Sequence, residues 1–266
     1  MNILFHTIAI EPERWTPKRV SRPLIEILGP VAEAGFRELE IYEPHLGAEA
    51  TSSAIREALQ ANGQMPVILS SYLNLNPAIT TDAEAEEGIE QIARRVDFYG
   101  FGKVRLFAGG KLQPDDRAGI AGFVGRVQRM ADRVPGAAVL LETHDGSLAD
   151  DPRAVVDAVE AIDRPNVALL FQPTFFTDHD AIIEQYRLQR PHIRHLHLQN
   201  RNPDLSFAPM ESGIVPWREL FALGAGESDA TLEFVPAAIC SPADFDLQAS
   251  LAQAVSELAA IKRILG

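Results

Sequence analysis

Eight short apolar runs, separated by amphipathic stretches, restrict this chain to very few architectures. The runs fall at 3–8, 38–42, 66–72, 103–107, 137–143, 166–171, 193–198 and 230–235, each rich in Val, Ile, Leu or Phe on consecutive positions. Consecutive rather than alternating apolar residues suit strands buried on both faces, as parallel strands are. Helical patterns lie between them. The stretch 23–35 carries Leu24, Ile27, Leu28, Val31 and Ala32 on one face and ends at a glycine. Thr81-Asp82 offers N-cap chemistry before 83–100, whose stripe is Ile89, Ile92, Ala93 and Val96. Asp151-Pro152 and Asp244 read as further helix starts, and 247–265 closes the chain as a long amphipathic helix. Seven intervals separate His6 from Glu233, about 32 residues each, the spacing of βα units in a closed (β/α)8 barrel. Eight such units fill 1–266 as a single domain. No Gly-x-Gly-x-x-Gly follows the first run, which argues against a dinucleotide-binding doubly wound sheet. The expected fold is therefore α/β, a single TIM barrel.

Composition removes several function classes. Asp and Glu number 37 against 24 Lys and Arg, a net charge of −13, which disfavours a binder of phosphate backbones. One cysteine, Cys240, excludes an intramolecular disulfide framework and any multi-cysteine metal site. No apolar stretch reaches the roughly 18 residues of a membrane span. The first residues lack the basic and long apolar regions of a signal peptide. These features lead to the expectation of a cytoplasmic protein without nucleic-acid or membrane partners. Apolar helix surface would favour a homodimer.

In a barrel of this kind chemistry sits at the C-terminal ends of the strands. Those ends carry Glu142 on the fifth strand, Gln172 on the sixth, His197 on the seventh and Glu233 on the eighth. Each follows apolar sequence, and buried charge needs compensation. A divalent cation held by these oxygen and imidazole groups supplies it; Mn, Mg, Co and Zn all suit the set. The strand alternation is read as turning His195 toward the helix layer as a structural residue, with His197 inward. His179 and His192 are assigned to helix or loop.

Further candidates line the expected mouth. They are His6 after the first strand, Glu40 or Glu43 on the second, Tyr72 and Asn74 after the third, and Arg105 in the fourth. Arg105 either keeps a glutamate ionised or forms a barrel-interior salt bridge. His144 and Asp145 contact substrate, fix Glu142, or make local turn hydrogen bonds. Trp15 and Trp217 either wall a sugar ring or pack. The connection 200–215, with little periodicity, is expected to cover the site, and the segment around Pro12, Trp15 and Pro17 is a second candidate lid.

The segments Leu-Glu-Thr-His-Asp-Gly-Ser-Leu, His-Leu-His-Leu-Gln-Asn, Glu-Ser-Gly-Ile-Val-Pro-Trp and Thr-Leu-Glu-Phe-Val resemble those of the xylose isomerase-like TIM barrels. That superfamily includes sugar-phosphate isomerases, ketose 3-epimerases, inosose dehydratases and endonuclease IV relatives. The resemblance runs through the whole chain in order. It implies one metal held at Glu142, Gln172, His197 and Glu233, with the two glutamates as acid/base pair and Arg201 holding substrate hydroxyls. Two departures stand out: Gln172 occupies the place of an aspartate, and Phe175 that of a histidine found in the epimerases. Gln172 can still ligate through its carbonyl oxygen, with one negative ligand fewer.

Removal of a carbon-bound proton beside a carbonyl fits such a site. The leading expectation is an isomerase or epimerase of a sugar or polyol-type keto substrate, acting in carbohydrate metabolism. The alternatives are a dehydratase of the inosose or dehydroshikimate type, or a degenerate sugar-binding barrel. DNA repair is disfavoured by the net charge and by Ser70-Ser71-Tyr72 at the third strand's end, where added metal ligands would be needed. No Gly-rich phosphate cradle follows strands seven or eight, so a non-phosphorylated substrate is expected.

Overall fold

A computed structural model describes residues 1–14, 20–49, 51–176 and 178–266. Trp15 and Pro17, assigned above to a second lid, lie outside the described residues.

The apolar runs form eight parallel strands: β1 Ile3–His6, β2 Glu38–Tyr42, β3 Met65–Ser70, β4 Lys103–Phe107, β5 Ala138–Glu142, β6 Val167–Phe171, β7 Ile193–Leu198 and β8 Asp229–Leu232. Each pairs with its neighbours in sequence, and β1 pairs with β8, closing the barrel. Among the described residues, eight α-helices alternate with the strands: α1 Leu24–Glu33, α2 Ser53–Ala61, α3 Asp82–Tyr99, α4 Arg117–Arg133, α5 Pro152–Ile162, α6 His179–Gln189, α7 Trp217–Ala222 and α8 Leu247–Leu265. The protein is a single (β/α)8 TIM barrel.

Local chemistry sets the helix ends. Thr81 and Glu84 form a reciprocal capping box at the start of α3, and Gly100 in the left-handed region ends it. Asp151 caps α5. The last helix begins at Leu247 under an Asp246 cap; Asp244 instead accepts a hydrogen bond from the Ser241 hydroxyl at 2.6 Å, so it does not open a helix. None of the helices is long and apolar enough to cross a membrane, among the described residues.

Strand alternation divides the core in two. Phe5, Leu39, Leu69, Leu106, Leu141, Leu169, Leu196 and Leu232 face outward into the large apolar layer beneath the helices. Leu4, Ile68, Leu140, Ala168 and Leu170 fill the interior. Above and beside them the interior row turns polar. His195 belongs to that row. Its Nε2 lies 2.7 Å from the Thr231 hydroxyl of β8 and its Nδ1 3.5 Å from Lys103 of β4, contacts that only the barrel interior permits. The expectation that it faces the helices is corrected: residues two apart on a strand share a face, so His195 and His197 both point inward.

A second buried polar cluster lies beside the first strand. His45 contacts the Thr7 hydroxyl at 2.9 Å and Glu11 at 3.3 Å, while the Glu11 carboxylate also accepts from the backbone N–H groups of Glu13 and Ser21. Burial pushes the Glu11 carboxyl up, but His45 and the two N–H donors outweigh it and hold it below the ordinary value of 4.5. A depressed folded value means that this stabilisation is complete above pH 4.5 and is lost as pH falls through the folded value. Glu11→Gln is expected to lower stability at pH 7 by about 1–3 kcal/mol and to flatten the acid limb of the stability curve. Urea unfolding at pH 7 and pH 4 checks this; equal acid losses in parent and variant would refute it.

Candidate metal centre and active site

The polar interior row converges at the C-terminal mouth. Glu142, Gln172, His197 and Glu233 arrive from four consecutive strand ends and are all buried. A ligand atom from each of Glu142, His197 and Glu233 can be chosen so that all lie within 4.8 Å of one another. His197 is central. Its Nε2 lies 3.1 Å from both carboxylate oxygens of Glu40, so that nitrogen carries the proton. Its Nδ1 is buried with no hydrogen-bond partner, 3.4 Å from Glu142 Oε1 and 3.4 Å from Glu233 Oε1. A buried imidazole nitrogen held between two carboxylates, its ring fixed from behind by a third, is the arrangement of a metal ligand.

Charge supports the same reading. Three carboxylates, Glu40, Glu142 and Glu233, meet one guanidinium, Arg105, whose Nε is 2.7 Å from Glu142 Oε2. With His197 neutral, the three carboxylates outnumber the Arg105 guanidinium by two, an excess of negative charge that a cation can balance. Burial pushes the His197 proton off, yet Glu233, Glu40 and Glu142 outweigh it and raise its affinity for a proton well above the ordinary value. Burial likewise pushes Glu142 up, while Arg105 and His197 hold it down, at about 2. The residues present fit a divalent metal.

His6 and Glu40 lie beneath the cavity rather than on its wall. His6 Nδ1 accepts from the Ile8 N–H at 3.1 Å, leaving Nε2 toward the Ser70 hydroxyl at 3.0 Å and Glu40 at 3.2 Å. Glu40 contacts His197 directly, and His6 joins it through Glu40. Tyr72, Arg105, His144 and Arg201 do line the cavity, which has a volume of about 510 Å³. Asn74 is also on its wall, whereas Glu43 holds Ser71 and the Tyr72 backbone from outside. Arg105 serves as the partner of Glu142, with Tyr72 and Phe107 over its guanidinium at 5.1 Å and 4.3 Å. Burial lowers the His144 proton affinity, but Asp145, whose oxygens contact Nδ1, and Glu142 raise it to about 9. Trp217 is packed, its indole N–H donating to the Gln199 carbonyl at 2.9 Å. His179 begins α6 and His192 lies in the turn before β7.

The connection after β7, expected to cover the site, reaches the main cavity through Arg201 and the side cavity through Arg201 and Leu205. It contains a two-residue antiparallel ribbon, Asn200–Arg201 with Phe207–Ala208, and the Arg201 guanidinium stacks on Phe207 at 3.6 Å. Gly213 is obligatory there: a Cβ would lie 2.8 Å from the Arg201 carbonyl and 2.0 Å from Asn200 Oδ1. Phe175 and Phe176 line a side cavity that shares His144, Gln172 and Arg201 with the main one.

Three residues escaped the sequence reading. Gln199 lies two positions after His197, so the period of two could have placed it in the inward row; it donates to Gln172 at 2.8 Å and to Glu233 at 2.7 Å. Arg14 and Lys111 reach the cavity from loops, where no periodicity signals direction. With Arg201 and His144 they make the outer wall cationic.

Comparison with known proteins follows the same line. The model of the family described as Xylose isomerase-like TIM barrel matches residues 28–223. The 3-dehydroshikimate dehydratase of Bacillus anthracis is 25% identical over 178 residues, a stretch that spans 63% of this chain and 63% of that relative, less than two thirds of its length. The structure of an L-ribulose 3-epimerase superposes with a TM-score of 0.73 at 16% identity, covering 100% of this chain and 95% of that one. A xylose isomerase-like TIM barrel protein from Mycobacterium smegmatis, solved in complex with magnesium, gives a TM-score of 0.68 at 17% identity, covering 100% and 98%. By the family match and the barrel just described, the chain belongs to the xylose isomerase-like TIM barrel family.

Proposed function

We propose that the protein is a metal-dependent enzyme that removes a proton from the carbon beside a carbonyl of a polyhydroxylated keto substrate, with elimination of a β-hydroxyl as its preferred outcome. One observation carries the choice of outcome: the two glutamates are unequal. Glu142 is pinned by the Arg105 guanidinium at 2.7 Å, whereas Glu233 meets an amide, Gln199 Nε2, at 2.7 Å. Two-sided epimerisation needs a pair of exchangeable bases. A carboxylate committed to a buried guanidinium is a poor one.

Glu142, Gln172, His197 and Glu233 would hold the metal. A bound divalent cation would stabilise the negative charge that develops on the carbonyl oxygen. Glu233 takes the proton from the α-carbon. The electron pair so released forms the carbon–carbon double bond, the β carbon–oxygen bond breaks, and the leaving hydroxyl departs as water with a proton from His144. Asp145 engages His144 Nδ1, which leaves Nε2 as the donor. Tyr72 and Phe107 offer apolar wall to the substrate ring or chain, and Arg201 offers donors to its hydroxyls. Arg14, Lys111 and Arg201 around the mouth favour a substrate that also bears an acid group, as dehydroshikimate does.

Isomerisation or epimerisation is the second reading, supported by the presence of both Glu142 and Glu233 on one cavity. Incubating the Mn2+-loaded protein with 3-dehydroshikimate, an inosose and L-ribulose separates the readings. A product lighter by one water is expected. Conversion at unchanged mass would replace elimination with isomerisation or epimerisation, and no turnover by metal-loaded protein would leave a binding protein.

A further inference from the structure

Gln172 poses a problem that its surroundings solve. Its backbone is held by Thr143, whose hydroxyl lies 2.8 Å from the Gln172 N–H and 2.6 Å from its carbonyl. Only the side-chain amide is left to turn. With Oε1 forward, that oxygen accepts from Gln199 Nε2 at 2.8 Å. The same position lies 3.1 Å from Glu142 Oε1 and 2.7 Å from Glu233 Oε2. Gln199 Nε2 donates to two of these three acceptor oxygens, those of Gln172 and Glu233, and a cation among the three would relieve the repulsion that remains. Turned over, the amide would donate to both carboxylates, but its NH2 would then face the NH2 of Gln199.

Gln199 cannot relieve that clash by turning as well. Its own Oε1 accepts from Arg201 Nε at 2.9 Å, and its Nε2 donates to Gln172 and Glu233. Arg201 is fixed in turn by stacking on Phe207 and by donating to the Leu205 carbonyl at 3.1 Å. The chain of donors therefore has one direction, from Arg201 through Gln199 to the Gln172 oxygen.

We propose that Gln199, oriented by Arg201, is a positioning residue that holds the Gln172 carbonyl oxygen toward the cation. The inference rests on the metal reading of the site above. It explains how a neutral glutamine serves on the sixth strand: an amide has one ligating face and needs an orienting partner, while a carboxylate has two equivalent oxygens and needs none.

The test is a double-mutant cycle on the Mn2+ dissociation constant, measured by titration calorimetry. Gln199→Leu is expected to weaken Mn2+ binding about tenfold or more, in the range of lost outer contacts to metal ligands. In a Gln172→Glu background the same substitution is expected to cost at least about fivefold less, since the orienting role has vanished while the contact to Glu233 is lost equally. Arg201→Met, which leaves Gln199 in place, should repeat the pattern with a smaller factor and serves if Gln199→Leu does not fold, as circular dichroism will tell. Equal losses in the two backgrounds would overturn the relay and leave the metal site standing. Failure of the parent to bind Mn2+ would overturn the metal reading and the relay with it.

Discussion

Glu233→Gln is expected to lower kcat of the Mn2+-saturated enzyme by about 10²–10⁴-fold, the range for loss of a general base. The other two buried carboxylates of the site are already committed to neighbouring side chains. Glu40 is engaged by His197 and His6, and Glu142 by Arg105. Glu233 alone of the three combines a cavity-lining position with contacts to an amide and an imidazole rather than a guanidinium. Glutamine preserves shape and can still ligate through oxygen, so saturating Mn2+ isolates the chemical step from weakened binding. Steady-state kinetics on the substrate identified above provides the measurement. A fall smaller than about tenfold at saturation would move the base elsewhere, His144 being the next group on the wall.

Arg105→Met carries the second large effect, on stability. Arg105 is buried with its Nε against Glu142, and its Nη1 donates to the Ser71 carbonyl at 3.1 Å. Removing one partner of a buried ion pair leaves the other charge uncompensated, at a cost of about 3–5 kcal/mol. Without metal the loss should appear in full as a lower urea midpoint. Saturating Mn2+ should restore part of it, because a cation beside Glu142 replaces the missing charge and binding favours the folded state. A metal-free loss below about 1 kcal/mol would show that Glu142 does not depend on Arg105, and with it would fall the inequality of the two glutamates.

The two predictions show how differently the parts of this site are written in the chain. Glu142, Gln172, His197 and Glu233 were legible because each closes an apolar run at the same point of a repeating unit, and a strand end is defined by where its hydrophobic run stops. Gln199 was legible in principle from the same period of two. His195 was misassigned by applying that period with the wrong parity, and the Lys103 and Thr231 contacts correct it. The role of Arg105 could not be decided between its alternatives until β4 and β5 were placed side by side, with Phe107 opposite Glu142. Asp244 lies two residues before Asp246, which caps the last helix.

What the sequence determined by itself is periodic: eight strands, the closing of the barrel in chain order, and four ligand candidates at one height. Those features follow from short apolar runs separated by amphipathic stretches, a pattern set over a few residues that repeats along the chain. Only the tertiary structure decided which side chains from distant segments meet. The Glu40 brace behind His197, the Arg105 lock on Glu142 and the Gln199 contact to Gln172 join residues far apart in the chain, and Arg14 and Lys111 reach one cavity from separate loops. Such pairings depend on distance and direction through space, and charge and hydrogen bonding leave no period in the sequence from which they could be read.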